Sequence, residues 1–192
     1  MLAVCALSLS AFASSAQADK MNYNYMEVGY SLINDSGASG GFTLSGSYDV
    51  YENVNIIGNL FISTTTDKSV ADDIDASAYT IGLGYHYDYS EEMDFFAEAL
   101  LLNTDSTATK SGIKINKDDT GYVAAIGVRN QLNDKVELLG RIERRNSDDL
   151  SETVFTFGGL YKYNEKTSLG LKLNTGAKDG SEALTASIRW NF

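Results

Sequence analysis

The chain has 192 residues, enough for one domain, and carries 15 Lys and Arg against 26 Asp and Glu, for a net charge of −11. That balance excludes nucleic acid as a partner, because phosphate binding needs clustered cations. Pro is absent, so no backbone ladder donor is missing, and 17 Gly supply sites for the sharp bends of a closed sheet. No run reaches the ~18 consecutive apolar residues of a spanning helix. A membrane-spanning version of this chain must therefore be a closed barrel, because lipid cannot satisfy the backbone groups of an open edge.

Residues 1–18 carry no charge, and residues 2–13 form an apolar stretch of small and aliphatic side chains. Ala16-Gln17-Ala18 matches a small-x-small cleavage pattern, so a signal-peptide helix over 1–18 is expected, with the cut before Asp19. No Lys or Arg precedes the apolar run, which departs from the usual signal. Cys5 follows only four residues, one of them Val4 directly before it, which does not suit a lipidated Cys. Cleavage would leave a Cys-free mature chain, 19–192, as suits passage through an oxidising periplasm.

From residue 22 onward the chain repeats one unit, an alternating run followed by a connection. Successive strand side chains point to opposite faces, so alternation predicts two-faced strands. The runs lie near 22–32, 41–50, 54–63, 77–87, 93–103, 120–131, 136–145, 153–163, 168–175 and 183–192. Odd-numbered connections such as 34–40, 64–76 and 103–119 are longer and rich in Gly, Ser, Thr and Asp, whereas Tyr51-Glu52-Asn53, 88–92, 132–135 and 164–167 are tight. This is the asymmetry of an outer-membrane barrel with short periplasmic turns and long outer loops. The expected fold is all-β: a closed antiparallel up-and-down transmembrane barrel of about ten strands, with eight as the alternative.

Register adds detail. Tyr23, Tyr25, Tyr48, Tyr85, Tyr87, Phe95, Tyr161, Tyr163, Trp190 and Phe192 fall near the tight-turn ends, and Tyr30, Phe42, Tyr79, Tyr122 and Phe155 near the other ends. Between these presumed aromatic girdles the outward faces carry aliphatic residues such as Val28, Leu44, Ile81, Ile126 and Leu171. The opposite, inward faces hold Glu27, Asn59, His86, Glu98, Arg129, Glu137, Arg141, Glu143, Lys172 and Arg189. Opposite charges in a narrow lumen offset one another's desolvation, so a salt-bridge network is expected among some of Glu27, Glu98, Arg129, Arg141, Glu143 and Arg189.

The last run, 183–192, alternates to its final residue and ends in two aromatics, Trp190 and Phe192. With the leader and the repeated hairpins, its Ile188-Arg189-Trp190-Asn191-Phe192 resembles small single-domain outer-membrane β-barrel proteins, the porin-like barrels and the OmpA-type membrane domain. The resemblance implies that Ile188, Trp190 and Phe192 form a signal read by the barrel-assembly machinery. No peptidoglycan-binding domain follows the last run, so an OmpA-like wall anchor is not expected.

Other sites are weaker. His86, the single His, has no Gly-x-Ser-x-Gly elbow to serve, so no catalysis is expected. Asp67, Asp72, Asp73 and Asp75 lack the ligand spacing and bidentate Glu of a calcium loop. Lys110, Lys114 and Lys117 could meet lipopolysaccharide phosphates. No cofactor and no metal are expected. The expected partners are outer-membrane lipids, lipopolysaccharide and the assembly machinery, and the chain is expected to be a monomer. The reading is a structural or narrow porin-like barrel of the Gram-negative outer membrane, with a largely filled lumen. The alternatives are a surface-loop adhesin or receptor, or a soluble ligand-binding barrel.

Overall fold

The computed structural model describes residues 21, 23–34, 39–65, 73–148, 151–177 and 181–192. The expected signal peptide, 1–18, lies outside them. Ten strands follow in chain order: β1 (Tyr25–Asn34), β2 (Ser39–Tyr51), β3 (Val54–Thr65), β4 (Asp73–Asp88), β5 (Met93–Lys110), β6 (Ile113–Asn133), β7 (Val136–Ser147), β8 (Ser151–Lys162), β9 (Thr167–Gly176) and β10 (Glu182–Asn191). Each pairs antiparallel with its chain neighbours, and β1 closes the sheet against β10. The barrel thus has ten strands and not the alternative eight. The Phe192 N–H donates to the Asn24 carbonyl at 3.2 Å, continuing the seam beyond the last paired residue. Closure removes the edges that would otherwise present unpaired backbone groups.

Alternation becomes sidedness. β1 and β10 alternate buried and exposed residues over their whole length. The exposed set is apolar: Leu83 is 55% exposed, Ile126 63% and Leu171 55%. A continuous belt of such residues is unstable in water and suits lipid. Tyr85, Tyr87, Tyr163, Trp190 and Phe192 are exposed near the tight-turn end, and Tyr30, Phe42, Tyr79 and Tyr122 toward the other.

Three of the four tight turns form where the sequence supplies Asn; the fourth, 88–92, is closed by the Ser90 and Met93 backbone. Asn53 adopts φ 61°, in the left-handed region that Asn tolerates. The Asn133 Oδ1 accepts from the Lys135 and Val136 N–H groups at 2.9 and 3.0 Å. The Asn164 Oδ1 does the same for Lys166 and Thr167, both at 2.9 Å. These side chains mimic a backbone turn and hold the reversal.

Two expectations are corrected, and the interior holds more than its charges. Tyr23 and Tyr25 do not join the girdle; both are 1% exposed and point inward. Tyr25 lies two residues from Glu27, and strand parity places both on one face. The stretch 103–119 is not an open loop. β5 and β6 stay paired out to Lys110 and Ile113 and reverse through Ser111 and Gly112, at φ 51° and 79°. Two consecutive positive φ values are those of a type I′ turn, whose twist matches a hairpin. Finally, the interior is not lined by polar groups alone. Ile33, Ile57, Phe61, Leu100, Leu102 and Val123 belong to one buried apolar cluster inside the barrel. Phe96 fits the same interior because its cross-strand partner is Gly127, where a Cβ would collide with the ring.

Candidate functional site

The chemistry of this barrel lies on its inward face. In the first group, Glu27 on β1 sits opposite Arg189 on β10 in the strand register. The Arg189 Nε donates to Glu27 Oε2 at 2.9 Å, and its Nη2 donates to the same oxygen. Lys172 on β9 reaches over β10 to donate to Glu27 Oε1. One carboxylate therefore serves two buried cations. The Arg189 guanidinium also lies over the Tyr25 ring, 4.1 Å from its centroid, a cation–π contact strengthened by desolvation.

A second group sits nearer the tight turns. The Arg129 Nε donates to Glu137 Oε1 at 2.7 Å, and both residues are 0% exposed. Arg129 lies over the Tyr23 ring at 4.5 Å, and that ring stacks on His86 at 3.9 Å with an interplanar angle of 11°.

The third group runs along β7, where Arg141, Glu143 and Arg145 alternate with outward residues. The Arg141 Nη2 reaches across β6 to donate to Glu98 Oε2 on β5 at 2.8 Å, and its Nη1 pairs with Glu143. The Arg145 Nε donates to Glu143 Oε1 at 2.5 Å, and its Nη1 lies 4.0 Å from Glu152 on β8. A buried ion pair costs desolvation that only good geometry repays, so such groups persist where each charge meets its opposite.

The structure thus distributes the six expected network residues over three groups. Glu27 meets Arg189, and Arg141 meets both Glu98 and Glu143, while Arg129 turns away to Glu137. Sequence reasoning missed Arg145, Glu152, Tyr23 and Tyr25. The parity of Arg141, Glu143 and Arg145 would have included Arg145; Glu152 enters because it lies opposite Arg145 in register. Ile188, Trp190 and Phe192 point outward, 43%, 42% and 67% exposed. Of the acidic cluster, Asp67 and Asp72 lie outside the described residues, and Asp75 accepts a hydrogen bond from the Thr64 hydroxyl at 2.9 Å. Lys110, Lys114 and Lys117 lie on the β5–β6 ribbon.

A closed sheet, greasy outside and charged within, defines an integral barrel of the outer membrane. The sequence profile of the outer membrane protein β-barrel domain matches residues 2–181, and the chain belongs to that family. Among solved structures it is similar to a KdgM porin at 6% identity, covering 88% of this chain and 99% of that one with a TM-score of 0.52. It is also similar to the attachment invasion locus protein Ail of Yersinia pestis at 14% identity, covering 87% and 97% with a TM-score of 0.48. The N-terminal β-barrel domain of Pseudomonas aeruginosa OprF matches at 11% identity, covering 88% and 98% with a TM-score of 0.43. At these identities the likeness shows the fold alone. No curated protein matches the sequence.

Proposed function

We propose that the protein is a structural barrel of the outer membrane whose lumen is filled by its own side chains and passes at most a thin, water-lined path. The observation that carries this reading is the reach of the buried ion pairs. Arg141 spans from β7 to β5 and Lys172 from β9 to β1, each bridging over an intervening strand. Barrels of about eight strands hold only side chains, while an aqueous channel takes ~16–18. Ten strands with long Arg, Lys and Glu directed inward stand close to the first limit. Planar-bilayer recording of refolded protein tests it: the expected trace lacks steady discrete openings, and reproducible porin-sized steps overturn the reading.

In this reading the tight turns face the periplasm and the longer connections the exterior. The barrel works as a monomer, and Ile188, Trp190 and Phe192 present its last strand to the assembly machinery. No catalysis is assigned; among the described residues neither ring nitrogen of His86 makes a hydrogen bond. A second reading, a surface receptor, is favoured by the β5–β6 ribbon. It presents Ile113 and Ile115, 68% and 67% exposed, beside Lys110, Lys114 and Lys117, a surface able to meet lipopolysaccharide or a host surface. Cell-surface binding by a chain with Ile113 and Ile115 both changed to Ser would separate the two readings.

A further inference from the structure

We propose that His86, Asp88 and Asp94 form a binding site for a divalent transition metal of the Zn2+ class at the tight-turn mouth of the barrel. One donor atom from each lies within 4.8 Å of the others. The strands explain the convergence. His86 and Asp88 are two apart on β4 and share a face, and Asp94 on β5 stands directly opposite Asp88 in the register. Sequence alone offered only two neighbouring donors; the third arrives through strand pairing.

Two features mark the cluster as more than a chance gathering of acids. The imidazole is buried, with His86 only 8% exposed, and among the described residues neither ring nitrogen has a hydrogen-bond partner. Its Nδ1 is 3.5 Å from Asp88 Oδ1 and its Nε2 is 3.7 Å from Asp49 Oδ1, both too long for a good hydrogen bond. Two metal bonds of ~2.1 Å in tetrahedral geometry hold their donor atoms about 3.4 Å apart, so the His86–Asp88 separation fits a shared ion. Asp94, 3% exposed, faces the Asp88 carboxylate across one strand pair and Arg129 across the other, so a metal would add to the positive charge that Arg129 already sets against the two carboxylates.

The surroundings orient these donors. The Tyr23 ring lies flat on the imidazole and fixes its plane, and the Tyr23 hydroxyl donates to Asp94 Oδ2 at 3.4 Å. Such outer contacts hold ligands in place. A mixed nitrogen and oxygen donor set suits Zn2+ and its neighbours better than Ca2+ or Mg2+. The site opens on a cavity at the mouth lined by Asn24, Asp49, His86, Asp88 and Phe192, which leaves room for a water as a further ligand. Metal there would bind β4 to β5 at the tight-turn end of their hairpin.

The test uses the untagged, refolded full chain in detergent and Zn2+ alone, titrated by calorimetry. The expected result is one Zn2+ per chain at micromolar affinity or tighter, with the imidazole resonances of the single His shifting in step. Asp94→Asn and His86→Gln should each weaken binding by at least about tenfold, with heat-dependent gel mobility reporting that the barrel still folds. Asp88→Asn serves in place of any variant that does not fold. Absence of saturable binding, unchanged affinity in His86→Gln, or unmoved imidazole resonances at saturation each overturn the proposal.

Discussion

Arg141→Leu is the most direct probe of the buried charges. Arg141 is 2% exposed and is the donor to Glu98 at 2.8 Å, while also pairing with Glu143. Its loss affects the two carboxylates differently. Glu143 keeps Arg145, at 2.5 Å. Glu98, 5% exposed, loses the guanidinium that neutralises it. Removing one partner of a buried pair typically destabilises by about 3–5 kcal/mol, because a charge is left in a low-dielectric interior. A chain of this size shifts its melting temperature by about 2–4 °C per kcal/mol, so the variant should melt roughly 6–20 °C lower. Thermal unfolding of the refolded barrel, followed by gel mobility and by Trp190 fluorescence, reads this out. The double variant Glu98→Leu, Arg141→Leu replaces the pair by apolar groups and should recover most of the loss. A single variant that melts with the wild type, or a double variant no better than the single, would refute the reasoning.

Other consequences follow from the same geometry. Glu27→Gln removes the one carboxylate shared by Lys172 and Arg189, and its urea midpoint should fall by the equivalent of about 3–5 kcal/mol. Ile126→Arg places a charge on the outward face, where Ile126 is 63% exposed. Folding equilibria in lipid vesicles should show a loss of about 2–4 kcal/mol if that site lies at mid-bilayer depth, whereas a water-facing site would change by less than about 0.5 kcal/mol. Gly112→Val forces a branched residue to φ 79°, a strain of about 1–2 kcal/mol. Amide exchange should quicken around the β5–β6 turn while barrel melting stays put, and an equal loss throughout the chain would contradict a turn that opens locally. Phe192→Ala should reduce the fraction assembled in cells while the refolded barrel melts nearly as before; unchanged assembly would remove Phe192 from the recognition signal.

Much of this protein was legible from its order of residues alone. A strand has a side-chain period of two, so alternation in a stretch such as 183–192 states both the element and its faces. Lipid then requires closure, and the spacing of runs sets the number of strands. All ten inward polar residues named from parity, from Glu27 to Arg189, are buried in the structure. Where residue type overrode parity, the expectation failed: Tyr23 and Tyr25 were assigned to the girdle for being aromatic. The β5–β6 ribbon was hidden because 103–110 and 116–120 are polar on both faces, leaving only Ser111-Gly112 and Ile113-Lys114-Ile115 to signal a hairpin.

What the order of residues could not decide is which charges meet. Glu27 and Lys172 are 145 positions apart, and Glu98 and Arg141 are 43. Their contacts depend on the stagger of ten strands around a closed cylinder, a property of the whole sheet and of no single segment. The apolar cluster inside the barrel and the convergence of His86, Asp88 and Asp94 have the same origin. Periodicity determines which way a side chain points; only closure and register determine what it finds there.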